Sequence, residues 1–590
     1  MENVAERISG EVLPRVRRPG QYVGLEINAR CEDPRDAEVA VAMAFPDTYG
    51  IGLSHLGSQI LYHLLNDLPG VACDRAYCPE PDAEQVLRER GVPLFGWESR
   101  CALGDFDVLG FSLAYEMGAT NVLTMLDLAG IALRSADRRR DAPLVIAGDA
   151  LADTPEPLAD FIDLFLPGDG EVSLPPLIEL VRQAKAAGAA REEMILQAAR
   201  TLPGVYAPAF YRPRYNADNT PAEMEPLRDA LPTTIEHAHL KGLSESPAIT
   251  RPLVPLSEAV HERVVIEIMR GCPNACRFCQ AGHTRLPVRS RSVDEIVAAA
   301  CSAVAATGFD EVALLSLSAS DYPHLDELIE RLNAELAPQH VSISLPSLRV
   351  GSQLRHLPRL TSTVRKGGLT IAAEAASDRL RRAIRKDITD EDMLAGVRAA
   401  YEAGWRKVKV YFMAGLPGES HEDIDAIFGL CKRLSDTRKD VDGHPGAISA
   451  SVSWFVPKPH TPMQWCPMRD AEYFFAVRRR LRERSRRSPV HFKFHRIERS
   501  LLEGVICRGD RRLGAVIETA WRSGARLDAW NEHFDYQKWL DAFAACGLDP
   551  AFFLRQIPTA ERLPWSHITC PRTERFLLAE YERMRNVLSQ

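Results

Sequence analysis

The sequence predicts an α/β fold with two successive regions of parallel sheet. Three observations carry this. Short apolar runs alternate with helical stretches from about residue 36 to 200, and again from 264 to 456. The runs are close to continuously apolar, as expected for strands covered on both faces. Hydrophobic residues make up 46% and charged residues 26% of the 590, a globular composition that excludes a disordered or fibrous chain.

Taken in order, residues 1–35 are Arg/Pro-rich and lack periodicity, a leader expected to pack against another part of the chain. In 36–200 the expected strands are 38–45, 107–113, 143–148 and 160–168. Residues 51–66 read as a helix with Leu53, Leu56, Ile60 and Leu64 on one face. The pattern predicts a flavodoxin- or Rossmann-like unit. The Pro-rich stretch 201–258 reads as a connector. Six strands follow at 264–269, 311–316, 341–346, 369–375, 407–415 and 448–456. Helical segments such as 292–306, 322–336 and 391–403 lie between them. Six βα-type units in series, spanning 259–465, predict a partial TIM-like barrel with its chemistry at the C-terminal strand ends. The region 466–590 reads as mixed α/β. Its segment 478–499 reads as a basic helix with ten Lys/Arg and two acids.

The net charge of −8 argues against bulk nucleic-acid binding. No apolar run approaches roughly 18 residues, so no membrane span is expected, and the N-terminal stretch lacks the apolar core of a signal peptide. The 13 cysteines are an odd number and mostly scattered. In a long chain this points to free thiols or metal ligands in the cytoplasm.

The strongest signal is R-G-C-P-N-A-C-R-F-C, which puts Cys272, Cys276 and Cys279 just after the first barrel strand. Three thiolates in eight residues match three irons of a cubane and leave the fourth iron open. Soft thiolates favour iron–sulfur clusters or zinc. The alternative is a structural Cys3His zinc site with His283. Such a knuckle normally stabilises a unit too small to fold alone, whereas this loop lies in a large domain.

This C-x3-C-x2-C array, with Phe278 before its last cysteine, resembles the signature of the radical S-adenosylmethionine superfamily. The resemblance covers about 264–460. It implies a 4Fe–4S cluster on the three cysteines, S-adenosylmethionine chelated at the open iron, and a 5′-deoxyadenosyl radical formed with an electron from a reductant such as flavodoxin or ferredoxin. It further implies that Glu374 contacts the ribose or amino group and that Ser316 and Ser318 contact the methionine part. It places Phe278 and the turn Gly415–Gly418 by the cofactor. Arg349, Lys409 and Tyr411, in or just after strands, are the catalytic candidates pointing into the barrel.

Stretches such as FPDTYGIGLSHLGSQILYHLLN, DVLGFSLAYE, PKPHTPMQW and LEGVICRGDRRLG resemble a family of radical proteins with an N-terminal cobalamin-binding domain. Ser112 then stands where that family's cobalamin-binding serine would. The D-x-H-x-x-G motif is absent, so cobalamin bound here is expected without a histidine on cobalt, and a relic domain is the competing reading. His55 reads as a helix residue. The pair Cys73 and Cys78 reads as inert. The basic segment 478–499, with Phe492, Phe494, His491 and His495, suggests an RNA substrate or a solvated face. The resulting expectation is a radical enzyme that modifies an unactivated carbon of RNA or protein, by methyl transfer ahead of methylthiolation. Methylthiolation requires a second cluster, and Cys31, Cys73, Cys78 and Cys101 lack its arrangement. A non-catalytic iron–sulfur scaffold is the reading from another class.

Overall fold

A computed structural model describes residues 1–30, 32–345 and 369–590; Arg349 and Cys31 lie outside the described residues. The N-terminal sheet is wholly parallel, formed by β1 (Val39–Phe45), β2 (Val71–Tyr77), β3 (Val108–Ser112), β4 (Leu144–Gly148) and β5 (Leu164–Phe165), in the order β2-β1-β3-β4-β5. β1, β2 and β3 are buried at every position, because helices cover both faces. Strand addition changes direction at β1, so the loops after β1 and β3 diverge there and leave a crevice at the carboxyl ends.

β2 was not among the expected strands. Its sequence VACDRAY carries Asp74 and Arg75, which interrupt the apolar run. Both are buried and satisfied. Asp74 accepts from the Glu98 and Ser99 amides, and Arg75 pairs with Glu26 at 2.8 Å and with Glu98. The expected strand 160–168 shrinks to the two residues of β5. The single helix expected over 51–66 is two helices, Tyr49–Leu53 and Leu56–Asn66. Between them His55 is extended, and its Nδ1 accepts from the Ser58 amide as an N-cap.

The connector holds the hairpin β6 (Tyr211–Tyr215) and β7 (Pro221–Pro226), then β8 (Ile235–Glu236). Next come β9 (Val264–Glu267) and the short antiparallel pair β10 (Met269–Arg270) and β11 (Arg289–Ser290). β12 (Glu311–Leu315) and β13 (Ser342–Ser344) join β9 in a parallel sheet of order β13-β12-β9. A second parallel sheet runs β14 (Leu369–Glu374), β15 (Lys407–Ala414), β16 (Ala447–Trp454) and β17 (Val490–Phe494).

β17 corrects the reading of 478–499 as one basic helix. The helix Ala471–Arg484 ends before it, and another helix begins at Ile497. The alternation Val490, Phe492, Phe494 puts the aromatic rings toward the core, where Phe494 stacks on Trp454.

The tail ends with β18 (Ile568–Thr569), paired to β8, and the helix Glu574–Ser589. Its helices Ile497–Cys507, Leu513–Arg522 and Tyr536–Ala545 supply Leu502, Val516, Trp521 and Trp539 to the same apolar core as the N-terminal sheet. The leader contributes Val4, Ile8 and Val12 to that core. No described helix is long and apolar enough to cross a membrane.

Candidate active site

The three-thiol loop is built by its flanks. Arg270, the first residue of the motif, is held by Asp169 and Glu171 at 2.8 Å each and by Glu267 at 2.9 Å. Gly271 follows at φ 85°, where a Cβ would meet the Arg285 carbonyl at 2.8 Å. The loop crosses Ala275 at φ 50° and closes with the Cys279 amide donating to the Cys276 carbonyl at 3.1 Å. Cys279 then caps the short helix Gln280–Thr284. Arg277 anchors the loop from behind, donating to Glu580 at 3.0 Å and to the Ala383 carbonyl at 2.8 Å.

The spacing C-x3-C-x2-C gathers three soft thiols in one loop, a donor set that fits an iron–sulfur cluster or a zinc ion. His283 already engages one ring nitrogen within the loop. It is buried, its Nε2 lies 3.1 Å from the Cys276 carbonyl, and burial pulls its pKa down to about 4. Burial pushes the Cys279 thiol up to about 11, with Cys276, Cys272 and Glu374 adding in the same direction. Metal binding has to displace that proton.

Polar residues at the strand ends converge on this loop. After β12, Ser318 donates to Asp321 at 2.6 Å; Asn274 donates to the same Asp321 oxygen at 2.6 Å and reaches Cys272 Sγ at 3.3 Å. The Ser318 amide donates to Ser316 Oγ at 3.1 Å. Ser316 and Ser318 are thereby linked to the thiol loop through Asp321 and Asn274. Glu374 ends β14 at φ 63°, at a bulge in its pairing with β15. That left-handed conformation is unusual for a non-glycine residue and re-aims the side chain at the strand end. Burial raises the Glu374 carboxyl, against the pull of Lys386 at 3.7 Å. Phe278 packs with Met413 on the apolar cluster that contains Phe455 and Trp465.

Other candidates lie differently. Lys409 and Tyr411 project from the exposed face of β15. Ser449 and Ser451 of β16 and His491 and Lys493 of β17 are their register partners, so one polar, basic row crosses three strands. Gly415 faces protein: a Cβ there would meet Phe474 at 2.6 Å, and the Gly415 amide donates to Glu419 at 2.7 Å. A Cβ on Gly418 would meet Leu588 at 3.0 Å. Within 478–499, Arg480 and Arg484 pair with Asp425, Arg482 lies over Phe494, and Arg496 lies over Phe534.

Ser112 lines the crevice at the β1/β3 ends, a cavity of about 330 Å³ walled also by Phe45, Asp47, His55, Tyr115 and His261. Ser58 donates to Ser112 at 3.0 Å, and its hydroxyl lies 2.8 Å from His55 Nδ1; His55 Nε2 lies 3.3 Å from Asp149. His55, read as a residue within a helix, is instead part of this wall. Cys73, Cys78 and Cys101 are buried in the N-terminal core, and burial raises all three thiols.

Asn274, Asp321 and Lys386 were not singled out in the sequence. Asn274 lies inside the motif and had a signal; Asp321 meets Ser318 locally but Asn274 only through the fold, as Lys386 meets Glu374.

The fold thus presents three thiols at the end of a parallel α/β sheet, a site of the soft-metal type. Residues 266–431 match the family model described as the radical SAM superfamily, and residues 57–208 match that of radical SAM proteins, N-terminal. The chain belongs to the radical SAM superfamily. An uncharacterized protein of Methanocaldococcus jannaschii is 24% identical over 514 residues, covering 86% of this chain and 97% of that one. A tRNA-2-methylthio-N(6)-dimethylallyladenosine synthase of Sorangium cellulosum is 28% identical over 229 residues, 33% of this chain and 42% of that one. The ribosomal protein uS12 methylthiotransferase RimO of Paramagnetospirillum magneticum is 24% identical over 271 residues, 40% and 55%. The chain thus spans about half the length of these two transferases. A cobalamin-dependent S-adenosylmethionine radical enzyme, OxsB, superposes with TM-score 0.48 and 11% identity over 93% of this chain and 79% of that one.

Proposed function

We propose that this protein is an enzyme that cleaves S-adenosylmethionine reductively and uses the resulting 5′-deoxyadenosyl radical to open an unactivated C–H bond. Methyl transfer is the favoured outcome. Cys272, Cys276 and Cys279 would hold a 4Fe–4S cluster, which when bound supplies the electron and an open iron for S-adenosylmethionine. The observation that carries the reading is the thiol loop joined to the strand-end serines by the Asn274–Asp321 bridge. Ser316, Ser318 and Glu374 would position the cofactor beside Phe278. Gly415 and Gly418 would shape the turn that borders it.

The two sheets at 264–494 are read as one partial barrel inside the proposed segment 259–465, extended by β17. The N-terminal sheet at 36–200 is read as flavodoxin-like, between the leader 1–35 and the connector 201–258, with 466–590 as the tail. The crevice holding Ser112 lies at the switch point, where such a sheet binds ligands. Its apolar floor suits one face of a flat macrocycle such as cobalamin. Both ring nitrogens of His55 already face Ser58 and Asp149, so a cobalamin without a protein imidazole ligand fits this wall.

The basic row Lys409, His491 and Lys493 suits a phosphate-bearing substrate, and RNA is the favoured class over protein. Arg349 and Tyr411 complete the catalytic candidates. A reductant such as flavodoxin or ferredoxin and a cytoplasmic setting complete the reading. Methylthiolation ranks second. The names of two relatives favour it, while the burial of Cys73, Cys78 and Cys101 in an apolar core leaves them poorly placed for a second cluster.

The test is anaerobic reconstitution of the full chain with iron and sulfide, then S-adenosylmethionine and dithionite. About four irons per chain and 5′-deoxyadenosine are expected, both lost when the three cysteines become alanine. A full cluster in that variant, or no iron retained by the reconstituted parent, overturns the cluster. A cluster without cleavage leaves the scaffold reading. Saturable hydroxocobalamin binding, lost in Ser112→Trp, tests the N-terminal crevice.

A further inference from the structure

We propose that Asp153, His237 and Cys570 form a site for one divalent cation of the zinc class, separate from the three-thiol loop and independent of its function. Among the described residues they are the one trio of His, Cys and carboxylate groups whose ligand atoms all lie within 4.8 Å of one another. The three come from distant parts of the chain. Asp153 closes the turn Ala150–Asp153 after β4, His237 follows β8, and Cys570 follows β18. The parallel register Ile568↔Ile235 and Thr569↔Glu236 puts Cys570 opposite His237, and the His237 amide donates to the Thr569 carbonyl at 3.2 Å.

The geometry is convergent. His237 Nε2 lies 3.1 Å from Asp153 Oδ1 and 3.4 Å from Cys570 Sγ. A nucleophile relay would put the thiol and the carboxylate on opposite ring nitrogens. Here both crowd Nε2. Asp153 is 1% exposed, and neither of its carboxylate oxygens has an aligned hydrogen-bond partner. A buried carboxylate with an imidazole at 3.1 Å but no aligned hydrogen bond leaves lone pairs for a further positive partner. His237 Nδ1 is likewise buried without a partner. A cation among the three takes one lone pair from each and removes the crowding at Nε2. The Asp153 carbonyl is fixed separately by His460 Nε2 at 2.8 Å.

The donor set selects the ion. One thiolate and one imidazole disfavour calcium and magnesium, which take oxygen ligands. One sulfur, one nitrogen and one oxygen suit zinc with a fourth position left over. Charge closes as well: a divalent ion with a thiolate and a carboxylate is neutral. Arg285, paired with Asp149 at 2.9 Å, also lies near enough to Asp153 and Cys570 to favour their charged forms. Such an ion would tie the N-terminal sheet, the connector and the tail together at one point.

The measurement uses the full chain with Cys272, Cys276 and Cys279 replaced by alanine, so that cluster iron does not enter the count. One zinc per chain is expected. Cobalt(II) should replace it with an intense thiolate-to-cobalt absorption. Cys570→Ser should abolish that band, and Asp153→Asn should weaken zinc at least tenfold. In the parent chain, not reconstituted with iron, a chelator should lower the melting temperature and zinc restore it, and Cys570→Ser should show neither response. This arm does not depend on the folding of the triple variant. No zinc uptake, or zinc retained at one per chain in Cys570→Ser and Asp153→Asn, overturns the site.

Discussion

Glu374 combines three properties that rarely coincide: a left-handed backbone, a largely buried side chain and, among the described residues, one basic partner at 3.7 Å. A strained non-glycine residue at a strand end usually marks a site where direction of the side chain matters more than local stability. Glu374→Ala is expected to weaken S-adenosylmethionine binding while the cluster stays intact. One lost charged hydrogen bond is worth about 1.5–3 kcal/mol, on the order of ten- to hundredfold in affinity. Unchanged affinity by calorimetry would give this residue a structural role. Glu419 is a second buried carboxyl, accepting from the Gly415 amide and from Tyr473 OH at 2.5 Å. Burial raises it from 4.5 to about 7. The native state therefore holds its proton where the unfolded chain has released it, and the associated stability is lost as pH rises from 4.5 to about 7. The loss is about 3–4 kcal/mol, at 1.36 kcal/mol per pKa unit. Glu419→Gln cannot ionise, so its melting temperature should gain on the parent between about pH 5 and about pH 8. Parallel pH profiles of the two proteins would refute the assignment. At this scale the three cysteines were legible because their spacing is local. Asp321 was not, because Asn274 reaches it only across the folded strand ends.

The turn after β15 shows what element-level reading leaves out. Gly415-Leu-Pro-Gly418-Glu419 reads as a turn that lets a ligand approach. In the fold the space above Gly415, at φ 93°, is filled by Phe474 from the helix Ala471–Arg484. Gly415→Ala combines a left-handed penalty of about 1–2 kcal/mol with overpacking of about 1–3 kcal/mol, so the melting temperature should fall by several degrees. Adding Phe474→Leu should recover part of the loss. A fall in S-adenosylmethionine affinity without a change in melting temperature would restore the ligand-approach reading. The same limit explains β2 and β17. Periodicity detects strands through apolar runs, and Asp74 and Arg75 hide β2 although buried partners satisfy both. In β17 the alternation Val490, Phe492, Phe494 was present, but the flanking arginines extended a helical reading across it.

At the scale of the molecule, the tail is part of the N-terminal core. The helix Ala119–Leu128 is buried at nine of its ten positions, including Thr120, Asn121 and Thr124. A helix buried all round needs cover on its outer side. The cover is the tail: Thr120 donates to Asp528 at 2.8 Å, Asn121 accepts from the Leu527 amide at 2.9 Å, and Trp521 Nε1 donates to Thr124 at 3.0 Å. The alternation of strands and helices made the N-terminal sheet legible, but sequence proximity carries no information about a partner some 400 residues away. Leu502, Val505, Val516, Ile517, Trp521, Trp539 and Phe543 are all buried in this core. At roughly 1.5–3 kcal/mol for each such side chain, their removal is comparable to the 5–15 kcal/mol by which a domain is normally stable. Three buried polar side chains would also lose their partners, each at about 1–3 kcal/mol. Residues 1–258 produced alone should therefore be insoluble or molten. Co-production with 497–590 should restore a soluble complex with a cooperative thermal transition. If 1–258 alone melts cooperatively at the temperature of the full chain, the tail is only a cover laid on an independent domain, and the shared core has no energetic meaning.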